Sequence, residues 1–251
     1  MDSGLLFIQL LNGLQLGILL FLLAAGLTLV FGIMDFVNLA QGSLYMMGAF
    51  FCAPLAQFTG SFLLAVGLSI PAVILLGIIV EVIAVRTLYS RDHLDQVLAT
   101  FGLILFFDGV VHLIWGANGM TVPLPDWLEG QVEIGSFVFT SFRVLIIAVG
   151  LAVALGLYLV VTRTRIGMLI RAGASNRTMV GALGIDIKTL FTLVFAGGSA
   201  LAGLAGMMIA PITEASIGMG NQIIIVAFVV IIIGGIGSIK GAFIAALIVG
   251  L

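Results

Sequence analysis

The sequence predicts an all-α, polytopic membrane protein, and three observations support this class. Of its 251 residues, 62% are hydrophobic and 8% are charged, whereas a soluble domain carries about 25% charged residues. Apolar stretches of roughly 20 residues, the length at which a helix crosses a bilayer, recur along the chain. Polar segments are short and lie between these stretches. Because a helix satisfies its own backbone hydrogen bonds in lipid, we expect one transmembrane helical bundle over residues 1–251.

The apolar pattern predicts about eight membrane segments. They cover residues 5–33, 38–58, 62–85, 97–115, 137–162, 189–210, 222–233 and 240–251. The last two are about 12 residues long, too short to cross a membrane singly, which indicates broken or re-entrant helices around 234–241. A second break is predicted at 34–42. Irregular backbone at membrane depth must be buried or line a cavity, so each break is either a tight turn or part of a transport path.

The charged loops predict the orientation of the chain. Loop 86–96 carries Arg86 and Arg91, and loop 163–188 carries five of the nine basic residues. Loop 116–136 has three acidic residues and no basic residue. Because basic loops stay in the cytoplasm, we expect the first two loops inside, and the acidic loop and the N-terminus outside.

Polar residues cluster where the first break ends. Asp35, Asn38, Gln41 or Gly42, and Tyr45 recur every three to four residues, a spacing that predicts one face of the second helix. Polar side chains in a membrane helix turn away from lipid. Two interpretations remain open: a hydrogen-bonded helix junction, or the lining of a substrate path.

Two pairs of ionisable residues flank or enter the spans. Glu81 lies about one turn before Arg86, which favours an ion pair at the membrane surface. Asp108 and His112 are at i and i+4 of the fourth span and share a helix face. They form either a structural pair, the interpretation we favour, or a functional site inside the membrane. Thr100 precedes them in the same span.

Small residues recur at helical spacing in the first and sixth spans. Gly13 and Gly17 are four residues apart, as are Gly198, Ala202 and Gly206. This spacing allows two helix backbones to approach closely. We expect it to mark core packing, with a subunit interface as the alternative.

The longer basic loop contains a predicted short amphipathic helix. Ser175 can cap its N-terminus, and Gly184 stands where a left-handed residue ends a helix. Between them, Met179, Val180 and Leu183 share one face. This apolar face either lies on lipid, packs on its own loop, or binds a cytosolic protein.

Motifs for catalysis or nucleotide binding do not occur. In the glycine run at 234–241 Ile239 precedes Lys240, so neither a phosphate-binding loop nor a dinucleotide fingerprint is matched. Two histidines and one cysteine make a transition-metal site improbable, and there is no basic cluster for nucleic acid. We expect no metal, no cofactor and no enzyme activity in this chain. Energy for uphill transport would come from a partner protein or an ion gradient.

Four stretches of the sequence resemble one protein family. They are GLTLVFGIMDFVNLAQGSLYMMGAF at 26–50, LATFGLILFFDGVVHLIWG at 98–116, the segment 164–206, and FVVIIIGGIGSIKGAFIAALIVG at 228–250. They are similar, in the same order, to signatures of the Liv-type permeases of bacterial ABC importers for branched-chain amino acids and related amides. The resemblance covers nearly the whole chain. It is closest to the subunit type without long extra termini.

The resemblance implies a set of partners. The short helix in loop 163–188 would be a coupling helix that docks on two cytosolic ATPase subunits, which bind ATP and Mg²⁺. A homologous second permease, a periplasmic or extracellular substrate-binding protein and the lipid of a bacterial cytoplasmic membrane would complete the system. Branched-chain amino acids are the expected substrates, with urea, short amides and other amino acids left open. The implied coupling residues are Arg171, Ala174, Ser175, Asn176, Arg177, Gly181, Leu183 and Gly184.

A candidate translocation path follows from the two breaks and the fourth span. Its residues are Asn38, Gln41, Gly42, Tyr45, Thr100, Asp108, Gly234, Gly235, Gly237 and Ser238. The alternative function is an ion-coupled secondary transporter in which Asp108 and His112 carry the proton. The chain departs from the family in two ways: Asp108 stands where a neutral amide is expected, and relatives continue through a further short segment after Leu251.

Overall fold

The structure of the protein is a computed structural model, and it describes residues 3–134 and 137–251. Residues 135 and 136 of the acidic loop lie outside the described residues. The elements in chain order are α1 (Ser3–Met34), α2 (Gln41–Thr59), α3 (Phe62–Ile83), a 3-10 helix (Val85–Leu88), α4 (His93–Trp115), α5 (Asp126–Glu129), β1 (Gln131–Ile134), β2 (Phe137–Thr140), α6 (Ser141–Arg163), α7 (Arg165–Ser175), α8 (Arg177–Ala182), α9 (Ile187–Thr213), α10 (Met219–Gly234) and α11 (Ile239–Gly250). The two strands form one antiparallel hairpin.

Each of the eight predicted membrane segments corresponds to a helix, which confirms an all-α polytopic bundle. Within the described residues, α1, α3, α4, α6 and α9 are each long and apolar enough to cross a membrane. α10 and α11 are shorter apolar helices joined at the predicted glycine break. The second segment differs from its prediction: α2 begins at Gln41 rather than at residue 38, because residues 35–40 are not helical.

The helices differ in how deeply they are buried, so the bundle has core helices and outer helices. In the most apolar 18-residue stretch of each helix, 83% of residues are buried in α1 and 67% in α9. The corresponding share is 22% in α4 and 11% in α6. A helix that is apolar on every side and buried is a core helix, so α1 is the centre of the bundle. The apolar surfaces of α4 and α6 are mostly exposed on the outside of the bundle.

Glycines set the distances between the core helices. A Cβ on Gly26 of α1 would lie 2.6 Å from the carbonyl oxygen of Gly198 on α9, and one on Gly17 would lie 2.8 Å from that of Ala246 on α11. Gly206 of α9 packs directly on the backbone of Tyr45 in α2. The small-residue spacing predicted from the sequence is therefore confirmed as core packing.

The segments that carry the basic loops lie together at one end of the bundle. The end of α1 contacts α7, where Ile33 lies beside Gly173, and Gly32 lies against Gly237 in the turn between α10 and α11. Arg86 donates a hydrogen bond to Thr192 near the start of α9. Segments 84–92, 164–186 and 235–238 thus share one side, which we call the basic side.

The opposite end of the bundle, which we call the acidic side, carries the start of α1 and the acidic loop. Asn12 of α1 accepts a hydrogen bond from Arg143 at the start of α6. Met120 of the acidic loop pairs with Ala215, which follows α9. The prediction that the two basic loops lie together, opposite the acidic loop, is confirmed by these contacts.

We expect Gly26→Ala to lower the thermal midpoint of the purified protein. The added methyl would lie against a backbone carbonyl that cannot move without separating α1 from α9, and overpacking of this kind costs about 1–3 kcal/mol. Gly102→Ala is the matched control, because nothing lies within 4 Å of its Cβ position and alanine favours helix by about 1 kcal/mol. Size-exclusion chromatography after heating in detergent measures the thermal midpoints of the two variants. Equal midpoints would contradict the packing interpretation.

Candidate functional site

The break between α1 and α2 turns back into the core. Asp35 follows α1 with a positive φ of 49° and is exposed, whereas Asn38 and Gln41 are fully buried. Gln41 lies beside Gly26, about 12 Å before the end of α1 at 1.5 Å per residue. The prediction that Asp35 and Asn38 lie on a face of the second helix is therefore wrong, because both precede that helix. The predicted break itself is confirmed.

Side-chain amides stabilise this break. Asn38 Nδ2 donates to Gln41 Oε1 at 3.1 Å, and Gln41 Nε2 donates to the carbonyl oxygen of Gly198 at 2.8 Å. Buried polar groups are costly unless they are hydrogen-bonded, so these bonds offset part of the cost of burying the two amides and join the break to α9. The interpretation as a hydrogen-bonded helix junction is confirmed, and membership of a path stays a prediction.

Gln96 of α4, which the sequence analysis missed, forms a hydrogen bond with the backbone of the break. Its Oε1 accepts from the backbone nitrogen of Val37 at 3.2 Å, and its Nε2 donates to the carbonyl oxygen of Arg91 at 3.1 Å. Its side chain is 3% exposed. The only signal in the sequence is an amide in the first turn of an apolar helix, and its partner is distant along the chain.

Tyr45 lines a groove that opens on the acidic side. The groove has a volume of about 510 Å³ and lies between α1, α2, α9 and α10. Next to Tyr45, Gly42 packs against the backbone of Gly220 at the start of α10. Most of the lining is apolar, and its polar members are Tyr45, Thr213, Ser216 and Gln222.

Asp108 and His112 do not form the predicted pair. Asp108 Oδ2 accepts a hydrogen bond from Asn221 Nδ2 of α10 at 3.3 Å, and His112 is exposed. Their shared face would permit contact, but the carboxylate points toward α10 instead. Thr100, the third residue singled out in α4, is buried and donates to the carbonyl oxygen of Gln96 in its own helix at 2.8 Å.

The second break is a tight corner on the basic side. Gly235 and Gly237 have φ values of 85° and 80°, which favour glycine, and Gly234 packs on the backbone of Gly241. Ser238 Oγ accepts from the backbone nitrogen of Gly241 at 3.1 Å and caps α11. Of the two interpretations of this break, the structure has the glycine turn between two packed half-helices. The candidate path residues therefore lie in separate places: the buried break, the groove, α4 and this corner.

The long basic loop contains two helices, α7 and α8. Thr164 caps α7 by accepting from the backbone nitrogen of Gly167 at 3.1 Å. Asn176 caps α8 by accepting from that of Met179 at 2.9 Å. The prediction that Ser175 caps the short helix is wrong, because Ser175 is the last residue of α7 and Asn176 takes the capping position. Arg177 begins α8.

The apolar residues of α8 point in two directions. Val180 is 4% exposed, whereas Met179 and Leu183 are 59% and 73% exposed, so the predicted single face is only partly correct. Gly184 ends the helix with a φ of 83°, as predicted. Gly181 is exposed, and a Cβ there would meet only Ile187, at 3.8 Å. This chain therefore leaves an open patch, the α8 surface, formed by Met179, Gly181 and Leu183.

The remaining predicted coupling residues of α7 lie apart from the α8 surface. Arg171 Nη1 donates to the carbonyl oxygen of Val161 at the end of α6. Ala174 lines the small cleft between α7 and α1 that includes Thr28 and Gly32. The predicted group thus divides into the exposed α8 surface and a joint between helices.

A buried carboxylate connects the basic side to the core. Arg86 Nη2 donates to Glu81 Oε2 at 2.9 Å, which confirms the predicted ion pair, and Glu81 is fully buried. The same carboxylate accepts from the Tyr89 hydroxyl at 2.7 Å and from Thr192 Oγ1 at 2.8 Å, two contacts that the sequence analysis missed. Burial and then the bond to Glu81 raise the pKa of Tyr89, and the same carboxylate raises the pKa of Arg86. We call these four residues the Glu81 cluster; it joins α3, the following loop and α9.

Comparisons with known proteins agree with one another. A family model described as "Branched-chain amino acid transport system / permease component" matches residues 9–251. The high-affinity branched-chain amino acid transport system permease protein BraD of Pseudomonas aeruginosa is 33% identical over 96% of this chain and 83% of BraD. The corresponding protein LivH of Escherichia coli is 30% identical over 97% of this chain and 83% of LivH. A probable LivH of Methanocaldococcus jannaschii is 30% identical over 93% of this chain and 75% of its own length. No solved structure matches significantly.

We expect Glu81→Gln to destabilise the protein more than Thr192→Val does. The first change removes a buried charge that three donors share, whereas the second removes one donor. Truncating a hydrogen bond to a charged group costs about 1.5–3 kcal/mol. Asp92→Asn is the control, since this carboxylate is exposed in the same loop. The thermal midpoint in detergent should fall most for Glu81→Gln and stay unchanged for Asp92→Asn, and the reverse order would contradict the role of the cluster.

Proposed function

The chain belongs to the family of branched-chain amino acid transport permease components, and from this premise we propose that it is a membrane subunit of an ATP-driven importer. The observation that carries the proposal is the exposed α8 surface on the basic side of a chain without a nucleotide-binding motif. Such a permease needs an energy source outside itself. The exposed side chains of Met179 and Leu183, with open space beside Gly181, are suited to docking on a cytosolic ATPase that binds ATP and Mg²⁺.

In this proposal the basic side faces the cytoplasm and the start of α1 faces outward. Met179 and Leu183 would enter an apolar groove on the ATPase, while Gly181 lets the two backbones approach. Two ATPases would serve two permease subunits, this chain and a homologous one. The location would be a bacterial cytoplasmic membrane.

Movement of α8 has a physical route to the core. Val180 is the buried apolar residue of α8, and Asp186 caps α9 by accepting from the backbone nitrogen of Lys188 at 3.0 Å. Two residues of α9 then reach the core: Thr192 joins the Glu81 cluster, and Gly198 accepts the hydrogen bond from Gln41. A shift of α9 would therefore disturb both the ion pair and the buried break. Binding and hydrolysis of ATP would select between two arrangements of these helices.

The groove on the acidic side would receive the substrate from a periplasmic or extracellular binding protein. Its apolar lining suits an aliphatic side chain, and Tyr45, Thr213, Ser216 and Gln222 offer hydrogen bonds to the ammonium and carboxylate groups of an amino acid. The relatives' names specify branched-chain amino acids, and we propose the same or related amino acids as the substrates here.

We expect Gly181→Arg to release the ATPases from the complex. A charged side chain at this position is accommodated by the chain itself but would obstruct a partner. Co-purification of the tagged chain with its partner subunits measures retention. Ser90→Arg is the control, because it adds the same charge to an exposed position in the other loop on the basic side. If Gly181→Arg keeps the ATPases as Ser90→Arg does, the α8 surface is not the docking site.

We expect Asp108→Asn to leave uptake within about twofold of the unmodified protein, because an asparagine can still accept the hydrogen bond from Asn221. An ion-coupled transporter that uses Asp108 and His112 requires the opposite, since an amide cannot carry a proton. Uptake of radiolabelled leucine by cells carrying the complete transporter, with and without a protonophore, separates the two. Loss of uptake in the variant together with dependence on the proton gradient would contradict the ATP-driven mechanism.

A further inference from the structure

Two adjoining cavities form a groove between α6 and α11 on the outer surface of the bundle. The larger has a volume of about 430 Å³ and is apolar, with Ala154, Leu155, Phe243 and Ile244 among its lining residues. The smaller has a volume of about 170 Å³ and lies at the end of the groove on the basic side. Both are lined by Tyr158, Ile239 and Lys240, so they are continuous.

The smaller cavity carries the two cations of the groove. Lys240 and Arg171 line it together with the hydroxyl-bearing Thr162 and Ser238. No aspartate or glutamate lines either cavity. In the part of the chain that the structure describes, the one salt bridge joins Arg86 to Glu81. The two cations of the groove are therefore not neutralised by a carboxylate.

The known contacts of the two cations leave most of their donors available. A guanidinium has five N–H donors, and Arg171 donates one of them to the carbonyl oxygen of Val161. The Lys240 ammonium lies 5.1 Å from the centre of the Tyr158 ring, a cation–π contact that positions it without using a hydrogen bond. Tyr158 and Lys240 are five residues or fewer from the basic ends of α6 and α11, the depth at which tyrosine and lysine meet lipid headgroups.

We propose that this groove binds an anionic phospholipid from the leaflet on the basic side. Its phosphate lies between Lys240 and Arg171, and an acyl chain runs along α6 and α11 past Ala154 and Ile244. The arrangement of a basic pocket at the mouth of an apolar groove matches both parts of such a lipid, because basic pockets between membrane helices bind anionic headgroups. A free phosphate would use the cationic end alone and leave the apolar groove without a role.

The proposed lipid would contact three helices at once. Arg171 is on α7, Tyr158 on α6 and Lys240 at the start of α11, directly after the glycine corner. A bound headgroup would hold the corner against α7. The proposal does not depend on ATPase docking, since the α8 surface contributes nothing to this groove.

The test is native mass spectrometry of the transporter complex after purification in mild detergent with added phosphatidylglycerol or phosphatidylcholine. We expect selective retention of phosphatidylglycerol. Lys240→Gln should weaken it about fivefold, the effect of one charge near a headgroup. Ala154→Trp should weaken it as well by filling the apolar groove without changing charge.

Matched controls separate the site from general effects of charge and bulk. Lys188→Gln removes a lysine at the same position of α9, the second residue of a helix that begins with isoleucine, and should leave retention unchanged. Ala152→Trp, at an exposed residue of α6 outside the groove, should also leave it unchanged. Equal retention of both lipids, or equal effects of variants and controls, would overturn the proposal. So would complete displacement by inorganic phosphate with no effect of Ala154→Trp, which would indicate a site for free anions.

Discussion

The structure depends on the close approach of α1, α2 and α9 through glycine. Lipid is as apolar as leucine, so burial of apolar surface does not drive membrane helices together, and contact between backbones must supply the attraction. Gly26 and Gly198 allow α1 and α9 to touch, and this contact brings the Gly198 carbonyl within 2.8 Å of the Gln41 amide. The buried break before α2 is therefore a consequence of helix packing as much as of its own residues.

The same packing divides the basic side into a rigid part and an accessible part. Gln96 and the Glu81 cluster fix the loop 84–92 to the break and to α9 by partly buried hydrogen bonds. In α8, by contrast, Val180 is buried, whereas Met179 and Leu183 are exposed. A partner that binds α8 would act on the neighbouring α9. This helix carries Thr192 of the Glu81 cluster and the Gly198 carbonyl that accepts from Gln41.

Sequence patterns sufficed for features that depend on local periodicity. All eight membrane segments, the left-handed Gly184 and the small-residue contacts of Gly198 and Gly206 follow from spacing along one helix. The Glu81–Arg86 pair also follows, because its partners are five residues apart. Each of these predictions requires only that neighbours in sequence are neighbours in space.

The errors arose where a residue had a choice between local and distant partners. Asp108 could bond to His112 one turn away, yet it bonds to Asn221 on another helix. Gln96 gave little signal because Val37 lies 59 residues before it. Ser175 and Asn176 are both good capping residues, and the end of α7 decides between them. In α8 the buried side depends on how the helix sits against its neighbours, so six residues of sequence could not distinguish Val180 from Met179.

The division of the predicted coupling residues has a mechanical meaning. α7 is 11 residues long, about 16 Å at 1.5 Å per residue. Arg171 of this helix is tied to the end of α6 and lines the groove beside α11, and its final residue leads into α8. A helix of this length transmits displacement as a rigid body, because bending it would require broken hydrogen bonds. A force applied to α8 would therefore reach the joint of α6, α7 and α11 as well as α9. Under the proposed docking of α8 on an ATPase, residues of α7 would affect coupling from that joint without touching the ATPase, although the structure separates Arg171 from Gly181.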